Sequence, residues 1–335
     1  MDKYLPLSIG IDLGASKIVA VLINQQGQIL QEMQTPTEIH SGAKAIITRM
    51  AWMVQKLSEK APGPVEGVGV GLPGYHDLTK GVVRLAVNLN WENIPLVALL
   101  KEKIMADIPV YFQNDANVEA LGEYFFGSGK GSEIMAYIGI GSGLGGGIIY
   151  QGQIISGSTS TAGEMGHISL DPQLGRVCAC GQRGCAETVV SGLGMVGLAQ
   201  DLIRARSHQT RLSEDDTLTV KAIFQAQDAG DPLAAEVMKT VSIWLGQVMT
   251  AYVGVLNPDT IVIGGGIGRS AFDRLIPEAE KELRRRTSSY ATEKLQIARS
   301  QIQSSAVGAS CLVWMNQPYA EPVWKKHKEV ISQKS

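Results

Sequence analysis

Short apolar runs that end in glycine alternate with segments of helical spacing along the chain. Residues 8–23 have the pattern of a strand, a tight polar turn at 12–17 and a second strand. Further strands are predicted at 65–72, 108–112, 137–140, 147–150 and 261–263. Apolar side chains at helical spacing predict helices over 44–59, 193–205, 232–255, 272–286 and 303–314. This alternation predicts an α/β fold.

The hairpin at 137–155 repeats the order of the first one: strand, turn of glycine and hydroxyl residues, strand, second turn. Both first turns contain a serine, Ser16 in one and Ser142 in the other. Two hairpins with matched turns favour a duplicated domain. Two unrelated glycine-rich hairpins remain the alternative.

Length and charge narrow the class of protein. The 335 residues suit two domains or one large α/β unit, and the net charge of −2 offers no electrostatic basis for nucleic acid as the main partner. The basic run 324–328 is interpreted as a solvated tail. No apolar run reaches the length of a membrane helix, and residues 1–6 lack the features of a signal peptide, so no membrane partner and a cytoplasmic location are expected.

The turn between the first two strands is a candidate phosphate site. Its backbone N–H groups around Gly14 can bind an anion, and Ser16 adds a hydroxyl donor beside Lys17. Asp12, at the strand end, could hold Mg²⁺ through the waters of the ion. Ordinary turn chemistry is the alternative for this segment taken alone.

The repeated hairpin strengthens the phosphate interpretation. Its turn, Gly141-Ser142-Gly143, would give a second hydroxyl and glycine contact to a triphosphate. A loop is predicted at Gly264-Gly265-Gly266, after the strand at 261–263, and it fits a nucleoside approaching the backbone, although a tight turn from strand to helix would look the same. The sequence has no Gly-x-x-x-x-Gly-Lys-Ser/Thr phosphate loop, and a dinucleotide-binding fingerprint does not fit.

A pair of polar residues, Asn114 and Asp115, follows the predicted strand at 108–112. Asp115 could accept the proton of an attacking hydroxyl while Asn114 orients that substrate. Phosphoryl transfer needs little more than this positioning, one base and cations on the phosphates. A helix cap built from the same two side chains is the structural alternative.

Three of the four cysteines, Cys178, Cys180 and Cys185, lie within eight residues, and His167 precedes them. Three thiolates and one imidazole fill the coordination sphere of a structural Zn²⁺ and leave no position for a catalytic water. Buried free thiols are the alternative. Glu164 and Glu187 flank these ligands. The metal is therefore predicted to hold the two carboxylates and His167 as a wall that binds a ligand.

Taken in order, these pieces resemble the ROK family of repressors, open reading frames and sugar kinases, within the actin/hexokinase-like ATPase superfamily. The resemblance extends from Ile9 to about Trp314, and its most specific part is residues 162–167 together with Cys178-x-Cys180-Gly-x-x-Gly-Cys185-x-Glu187. The first turn reads Gly-Ala-Ser-Lys where the family usually has Gly-Gly-Thr-Lys, and the second reads Gly-Ser-Gly instead of Gly-Thr-Gly. Both turns keep a hydroxyl.

The resemblance implies roles for individual residues. Asp115 would be the catalytic base and Asn114 a sugar ligand. Glu164, His167 and Glu187 would bind further sugar hydroxyls, with the second ring nitrogen of the histidine on zinc. The remaining sugar contacts would come from Gly74 and from Asn88, for which Asn90 is the alternative. Proline is missing from the segment 87–91, and His76 departs from the family pattern, so the shape of that loop is open.

The resemblance also implies an architecture. We expect two ribonuclease-H-like, actin-like ATPase domains that face each other across a cleft, with a structural zinc. The boundaries follow as residues 1–117 for the first domain, 118–302 for the second, a helix at about 303–320 that returns to the first, and a tail at 321–335. A homodimer or a larger homo-oligomer is expected.

Three functions remain open at this stage. The first is phosphorylation of a hexose by ATP with Mg²⁺, with glucose favoured over fructose, N-acetylglucosamine and N-acetylmannosamine. The second is a sugar-responsive repressor, which we do not expect because the eleven residues before Asp12 are too few for a helix-turn-helix domain. The third is a sugar-binding protein without catalysis, against which the retained Asp115 argues.

Overall fold

The computed structural model describes residues 5–104, 107–173, 175–206, 209–215 and 218–316. The basic run and the tail predicted at 321–335 lie outside these residues. The contacts within the chain divide it into two compact units. Of the described residues, unit 1 contains 5–104, 107–137, 147–163 and 300–316, and unit 2 contains those within 138–146 and 164–299.

Unit 1 is a layered α/β structure. Its strands are β1 (Leu7–Leu13), β2 (Lys17–Asn24), β3 (Ile29–Pro36), β4 (Val65–Leu72), β5 (Tyr75–Asp77), β6 (Val82–Ala86), β7 (Trp91–Ile94) and β8 (Val110–Asn114). Its helices are α1 (Gly42–Glu59), α2 (Leu96–Ile104), α3 (Asp115–Phe126) and α10 (Ser305–Met315). The predicted strands and helices of unit 1 are present within a few residues of their expected bounds, and α10 ends at Met315, next to the predicted end at 314. Residues 317–320 of the helix expected at about 303–320 lie outside the described residues.

The main sheet of unit 1 has the strand order β3-β2-β1-β4-β8. Strands β1, β2 and β3 are antiparallel, whereas β1, β4 and β8 are parallel. Asp12 pairs with Gly71, which in turn pairs with Gln113. The parallel register therefore places Asp12 and the Asn114-Asp115 pair at the same edge of the sheet, where the strands end.

Helix α10 lies directly on this sheet and also packs against α3. A Cβ atom at Gly10 would be 1.8 Å from the carbonyl oxygen of Ala306, and one at Gly69 would be 1.8 Å from that of Ala309. Only glycine on β1 and β4 permits so close an approach of the helix backbone. The helix is accordingly buried along almost its whole length.

Strands β5, β6 and β7 form a small antiparallel sheet that the sequence patterns did not predict. Trp91 anchors this sheet, since its side chain is 2% exposed and packs in the core of unit 1. Gly74 precedes the sheet with a φ of 109°, and a Cβ there would be 2.2 Å from the carbonyl oxygen of Leu85. The chain can make this turn only with glycine.

The second five-stranded sheet consists of β9 (Ile134–Ile140), β10 (Leu144–Tyr150), β11 (Gln153–Ile154), β12 (Thr260–Gly264) and β13 (Gln296–Arg299). Its order is β11-β10-β9-β12-β13, so the two sheets share one strand order. This is the arrangement that an internal repeat would produce.

The helices of unit 2 are α4 (Glu187–Val190), α5 (Gly192–Arg204), α6 (Val220–Asp228), α7 (Pro232–Leu256), α8 (Gly265–Ser270) and α9 (Phe272–Arg286). Helix α7 begins where the Asp231 carboxylate accepts hydrogen bonds from the amides of Leu233 and Ala234, both at 3.0 Å. The segment expected as a bare loop at 264–266 is instead the end of β12 and the start of α8. Gly265 allows this with a φ of 73°.

The domain boundaries expected at residues 117 and 302 stay predictions. Helix α3 and the chain up to 137 belong to unit 1 because α3 packs against α10. The cleft between two facing domains stays a prediction. Within the described residues, no helix has both the length and the apolar character needed to cross a membrane.

Candidate functional site

Asp115 is the first residue of α3, and Asn114 is its N-cap. The amide of Ala116 lies 2.9 Å from Oδ1 of each of these two side chains. The helix cap considered as an alternative is thus present. It also holds the Asp115 carboxylate at a fixed place at the edge of the sheet, and burial of that carboxylate raises its pKa.

The structure brings Asp12 into the electrostatic reach of Asp115. The pKa of Asp12 is raised to about 6, mainly by burial and also by the negative charge of Asp115. A hydrogen bond from Ser305 and the positive charge of Lys17 act in the opposite direction. Asp12 and Asp115, from distant parts of the sequence, therefore form one carboxylate cluster.

Glu119 is a third member of this cluster, and the sequence analysis missed it. It lies one helical turn after Asp115 on α3, so the spacing of four residues could have indicated it. Its Oε1 is 3.2 Å from the hydroxyl of Ser305, and its Oε2 accepts a hydrogen bond from Tyr137 at 2.5 Å. No local pattern marks Ser305 or Tyr137, because both reach the cluster only through the fold.

The first predicted phosphate turn is closed by a hydrogen bond from the amide of Gly14 to the carbonyl of Lys17 at 3.0 Å. Thr37 stabilises the turn through two hydrogen bonds. The Thr37 hydroxyl donates to the carbonyl of Gly14 at 2.7 Å, and the Thr37 amide donates to the carbonyl of Ser16 at 3.1 Å. Ser16 and Lys17 are exposed. Their polar ends are thus accessible to a ligand.

The second predicted phosphate turn lies in unit 2 and is closed by a hydrogen bond over a shorter span. The amide of Gly141 donates to the carbonyl of Gly143 at 3.0 Å. The start of α5 packs on this turn, because the amide of Gly192 donates to the carbonyl of Gly141 at 2.8 Å. Ser142 is exposed at the tip.

The glycine segment 264–266 lies in unit 2 next to the same turn. A Cβ at Gly265 would be 2.4 Å from the carbonyl oxygen of Ile140, the residue that precedes Gly141. Apart from its chain neighbours and the backbone of α8, no heavy atom of the described residues lies within 4 Å of a Cβ built at Gly266, so open space adjoins its Cα. Unit 2 therefore brings together two of the three predicted nucleotide segments.

The predicted metal ligands are collected in one place in unit 2. One ligand atom from each of His167, Cys178, Cys180 and Cys185 lies within 4.8 Å of the others. The Sγ atoms of Cys180 and Cys185 are 3.7 Å apart, and Sγ of Cys178 is 3.7 Å from Nδ1 of His167. Tetrahedral ligands at zinc–sulfur distances of about 2.3 Å would be separated by about 3.8 Å, so the set fits Zn²⁺.

Two carboxylates adjoin this cluster. Oε2 of Glu164 is 3.9 Å from Nε2 of His167, the ring nitrogen that does not face Cys178. Glu187 has Oε1 at 3.7 Å from Sγ of Cys178, while its Oε2 accepts a hydrogen bond from the amide of Leu144 at 2.9 Å. Glu187 thus connects the cysteine loop to the strand that leaves the second phosphate turn.

The other predicted sugar contacts lie in unit 1. Gly74 forms the strained turn between β4 and β5, and Asn88 is exposed in a short 3₁₀ helix at Val87–Leu89. Asn90, the alternative to Asn88, is also exposed, with a φ of 54°. The structure leaves both asparagines available to a ligand, so the choice between them stays a prediction.

The ROK family matches residues 8–316 of this chain. A glucokinase of Halalkalibacterium halodurans is 36% identical over 275 residues, which are 80% of this chain and 83% of that protein. A xylose repressor of Caldicellulosiruptor bescii is 32% identical over 93% of this chain and 78% of its own length.

Among solved structures, a ROK family glucokinase from Streptomyces griseus in complex with glucose and AMPPNP is similar to this chain with a TM-score of 0.73. The two are 30% identical, and the similarity covers 91% of this chain and 98% of that one. The described fold is thus the mixed α/β fold of these sugar kinases. The relatives include enzymes and repressors.

Proposed function

The chain belongs to the ROK family, and on that premise we propose that it transfers the terminal phosphoryl group of ATP to a hexose, with glucose as the favoured substrate. Its similarity to glucokinases of Halalkalibacterium halodurans and Streptomyces griseus supports a sugar kinase. A base for the sugar hydroxyl, a site for the phosphates and a sugar-binding wall are the three parts that this reaction needs.

The proposal depends most on the position of Asp115. The register of the parallel strands places it beside Asp12, at the strand that leads into the first phosphate turn. The negative charge of Asp115 raises the pKa of Asp12, which supports an interaction between the two groups. The proposed base would therefore lie near the proposed phosphate turn within unit 1.

In the proposed reaction, the Asp115 carboxylate takes the proton from a hydroxyl of the sugar. The oxygen of that hydroxyl forms a bond to the terminal phosphorus as the bond from phosphorus to ADP breaks. The products are a sugar phosphate, ADP and one proton, which Asp115 releases later. For glucose, the exposed primary hydroxyl gives glucose 6-phosphate.

The nucleotide would contact Gly14, Ser16 and Lys17 in unit 1. In unit 2 its ligands would be the turn 141–143 and the segment 264–266. Mg²⁺ bound with the nucleotide would neutralise charge on the phosphates, and Asp12 is the residue that would hold it through water. The raised pKa of Asp12 suits this role because a nearby cation would favour its ionised form.

The sugar would contact Asn114 and Asp115, together with Gly74 and Asn88, in unit 1. In unit 2 its ligands would be Glu164, His167 and Glu187. Zinc held by His167 and the three cysteines would fix the orientation of these side chains without taking part in the chemistry. Oε2 of Glu164 is 3.9 Å from Nε2 of His167, so the two side chains could contact neighbouring hydroxyls of one sugar.

A second candidate function is sugar-dependent regulation, because the xylose repressor of Caldicellulosiruptor bescii matches almost the whole chain. A sugar sensor would use the same wall and would not need Asp115 as a base. Turnover therefore separates the two functions, whereas sugar binding does not.

The test is release of ADP by the purified protein with ATP, Mg²⁺ and each of six sugars: glucose, mannose, fructose, allose, N-acetylglucosamine and N-acetylmannosamine. We expect the fastest turnover with glucose. Asp115→Asn should lower kcat by at least about a hundredfold, because a general base contributes about 10²–10⁴. Sugar binding, followed by calorimetry, should survive this change.

The matched control is Asp107→Asn, the same chemical change at an exposed position of unit 1. It should leave turnover unchanged. Absence of ADP release with all six sugars would contradict the kinase proposal and favour the sensor.

A further inference from the structure

A chain of hydrogen bonds runs through the carboxylate cluster of unit 1. The hydroxyl oxygen of Ser305 lies 3.1 Å from Oδ2 of Asp12 and 3.2 Å from Oε1 of Glu119. The other oxygen of Glu119 accepts a hydrogen bond from the hydroxyl of Tyr137. These hydrogen bonds therefore connect four residues in the order Asp12, Ser305, Glu119, Tyr137.

The number of protons available to these hydrogen bonds is limited. A serine hydroxyl carries one proton, so it can donate fully to only one of its two carboxyl neighbours. The second contact at hydrogen-bond distance then needs a proton that belongs to the other carboxyl group. A neutral acid at Asp12 or at Glu119 that donates to Ser305 would satisfy both contacts.

The surroundings favour Glu119 as the neutral acid. Burial raises the pKa of Glu119 to about 7, the charges of Asp115 and Asp12 act in the same direction, and the hydrogen bonds from Tyr137 and Ser305 oppose them. The pKa of Asp12 reaches only about 6, and the positive charge of Lys17 favours the ionised form of Asp12. Tyr137 donates to Oε2, so the proton belongs on Oε1, which faces Ser305.

We propose that Glu119 is a positioning residue, a neutral carboxylic acid that donates a hydrogen bond to Ser305 and so directs the serine proton toward Asp12. Asp12 is thereby kept ionised and oriented at the end of β1. The significance of this for phosphoryl transfer rests on the proposed function, whereas the protonation state itself does not.

The first test compares the melting temperature of the wild-type protein with that of Glu119→Gln across pH. The unfolded carboxyl loses its proton near its ordinary pKa of 4.5, while the folded one keeps it up to about 7. The wild-type fold therefore loses stability as the pH rises between these two values, and glutamine has no such loss.

The melting temperature of Glu119→Gln minus that of the wild type should rise over this range and level off above pH about 7. A difference that stays flat would overturn the proposal, because Glu119 would then be ionised in the folded protein. Infrared spectra give a second measurement: the wild type should show the carbonyl stretch of a protonated carboxylic acid that Glu119→Gln lacks.

Tyr137→Phe provides a matched variant. It keeps the ring and removes the hydrogen bond that favours the ionised form of Glu119. In the Tyr137→Phe protein, the gain in melting temperature from Glu119→Gln should continue to increase up to a higher pH than it does in the wild-type protein. An unchanged pH range would contradict the assigned direction of the hydrogen bonds.

The second test uses the pH profile of kcat/KM with the sugar that gives turnover. The wild type should lose activity as the pH rises above about 7, where Glu119 ionises and competes with Asp12 for the serine proton. Glu119→Gln, which can still donate to Ser305, should remove this decline. Glu119→Ala should lower kcat/KM by about tenfold, since it deletes a hydrogen bond next to a charged group.

Equal profiles for the glutamine and alanine variants would overturn the positioning role. If the wild type turns over no sugar, the proposed function fails, and the melting and infrared measurements still decide the state of Glu119.

Discussion

The proposed base, Asp115, is buried, and burial disfavours its ionised form. The parallel strands bring it near Asp12, Glu119 lies one helical turn further along α3, and the positive charge of Lys17 acts on Asp12 against these negative charges. Burial raises the pKa of all three groups, and the charges of neighbouring carboxylates raise those of Asp12 and Glu119 further. A cation bound with the nucleotide would relieve this repulsion, so the cluster is suited to ligands that bring positive charge.

A pH dependence follows at this scale. Asp12 and Asp115 must be ionised for the proposed reaction, and their pKa values are raised, that of Asp12 to about 6. The value of kcat/KM should therefore increase as the pH rises through about 6, well above the ordinary carboxyl pKa of 3.8. Steady-state rates measured between pH about 4.5 and about 7 check this. Half-maximal activity near pH 4 would contradict it.

The sequence predicted Asp115 but not its partners, and the reason is physical. Asn114 and Asp115 follow a strand directly, so local pattern reveals them. Ser305 and Tyr137 reach Glu119 through contacts across 186 and 18 residues, and no spacing rule connects them. Glu119 alone had a local signal, since a residue four positions after Asp115 shares its helix face.

At the scale of elements, the tight contact of α10 with α3 depends on glycine. A Cβ at Gly308 would be 1.7 Å from the carbonyl oxygen of Val118 on α3. Gly308→Ala should therefore separate the two helices and lower the free energy of unfolding by roughly 1–3 kcal/mol. Denaturant unfolding measures this change.

The matched control is Gly254→Ala in α7. Gly254 is exposed and has nothing within 4 Å of a built Cβ. Alanine there should raise the free energy of unfolding by about 0.5–1 kcal/mol, the difference in helix propensity. Two variants that shift stability in the same direction would contradict the packing argument.

The cysteine loop is the other element with a direct test. We expect one zinc per chain by elemental analysis, because the four ligand atoms fit a tetrahedral ion. Cys178→Ser should release the metal and weaken sugar binding, since Cys178 lies next to Glu187. Cys311→Ala, at the cysteine buried in α10, should keep the zinc. Sugar affinity that is unchanged after metal loss would contradict the coupling.

Over the whole molecule, the patterns predicted an α/β fold, and they located most of the long strands and helices. The sheet of β5–β7 was missed because its strands are three to five residues long and lack a sustained alternation. The loop expected at 264–266 was wrong because Gly265, with a φ of 73°, starts α8 immediately after β12. Glycine-rich sequence does not distinguish these two outcomes.

The interleaved order of unit 1 has a consequence for how the chain matures on the ribosome. Strands β1 and β4 are made early, but α10, which covers them at Gly10 and Gly69, is made only after Ser304. Residues 164–299 of unit 2 are continuous and emerge before that helix. The first sheet therefore lacks the cover of α10 during most of translation, and apolar surface exposed in this way favours aggregation of the nascent chain.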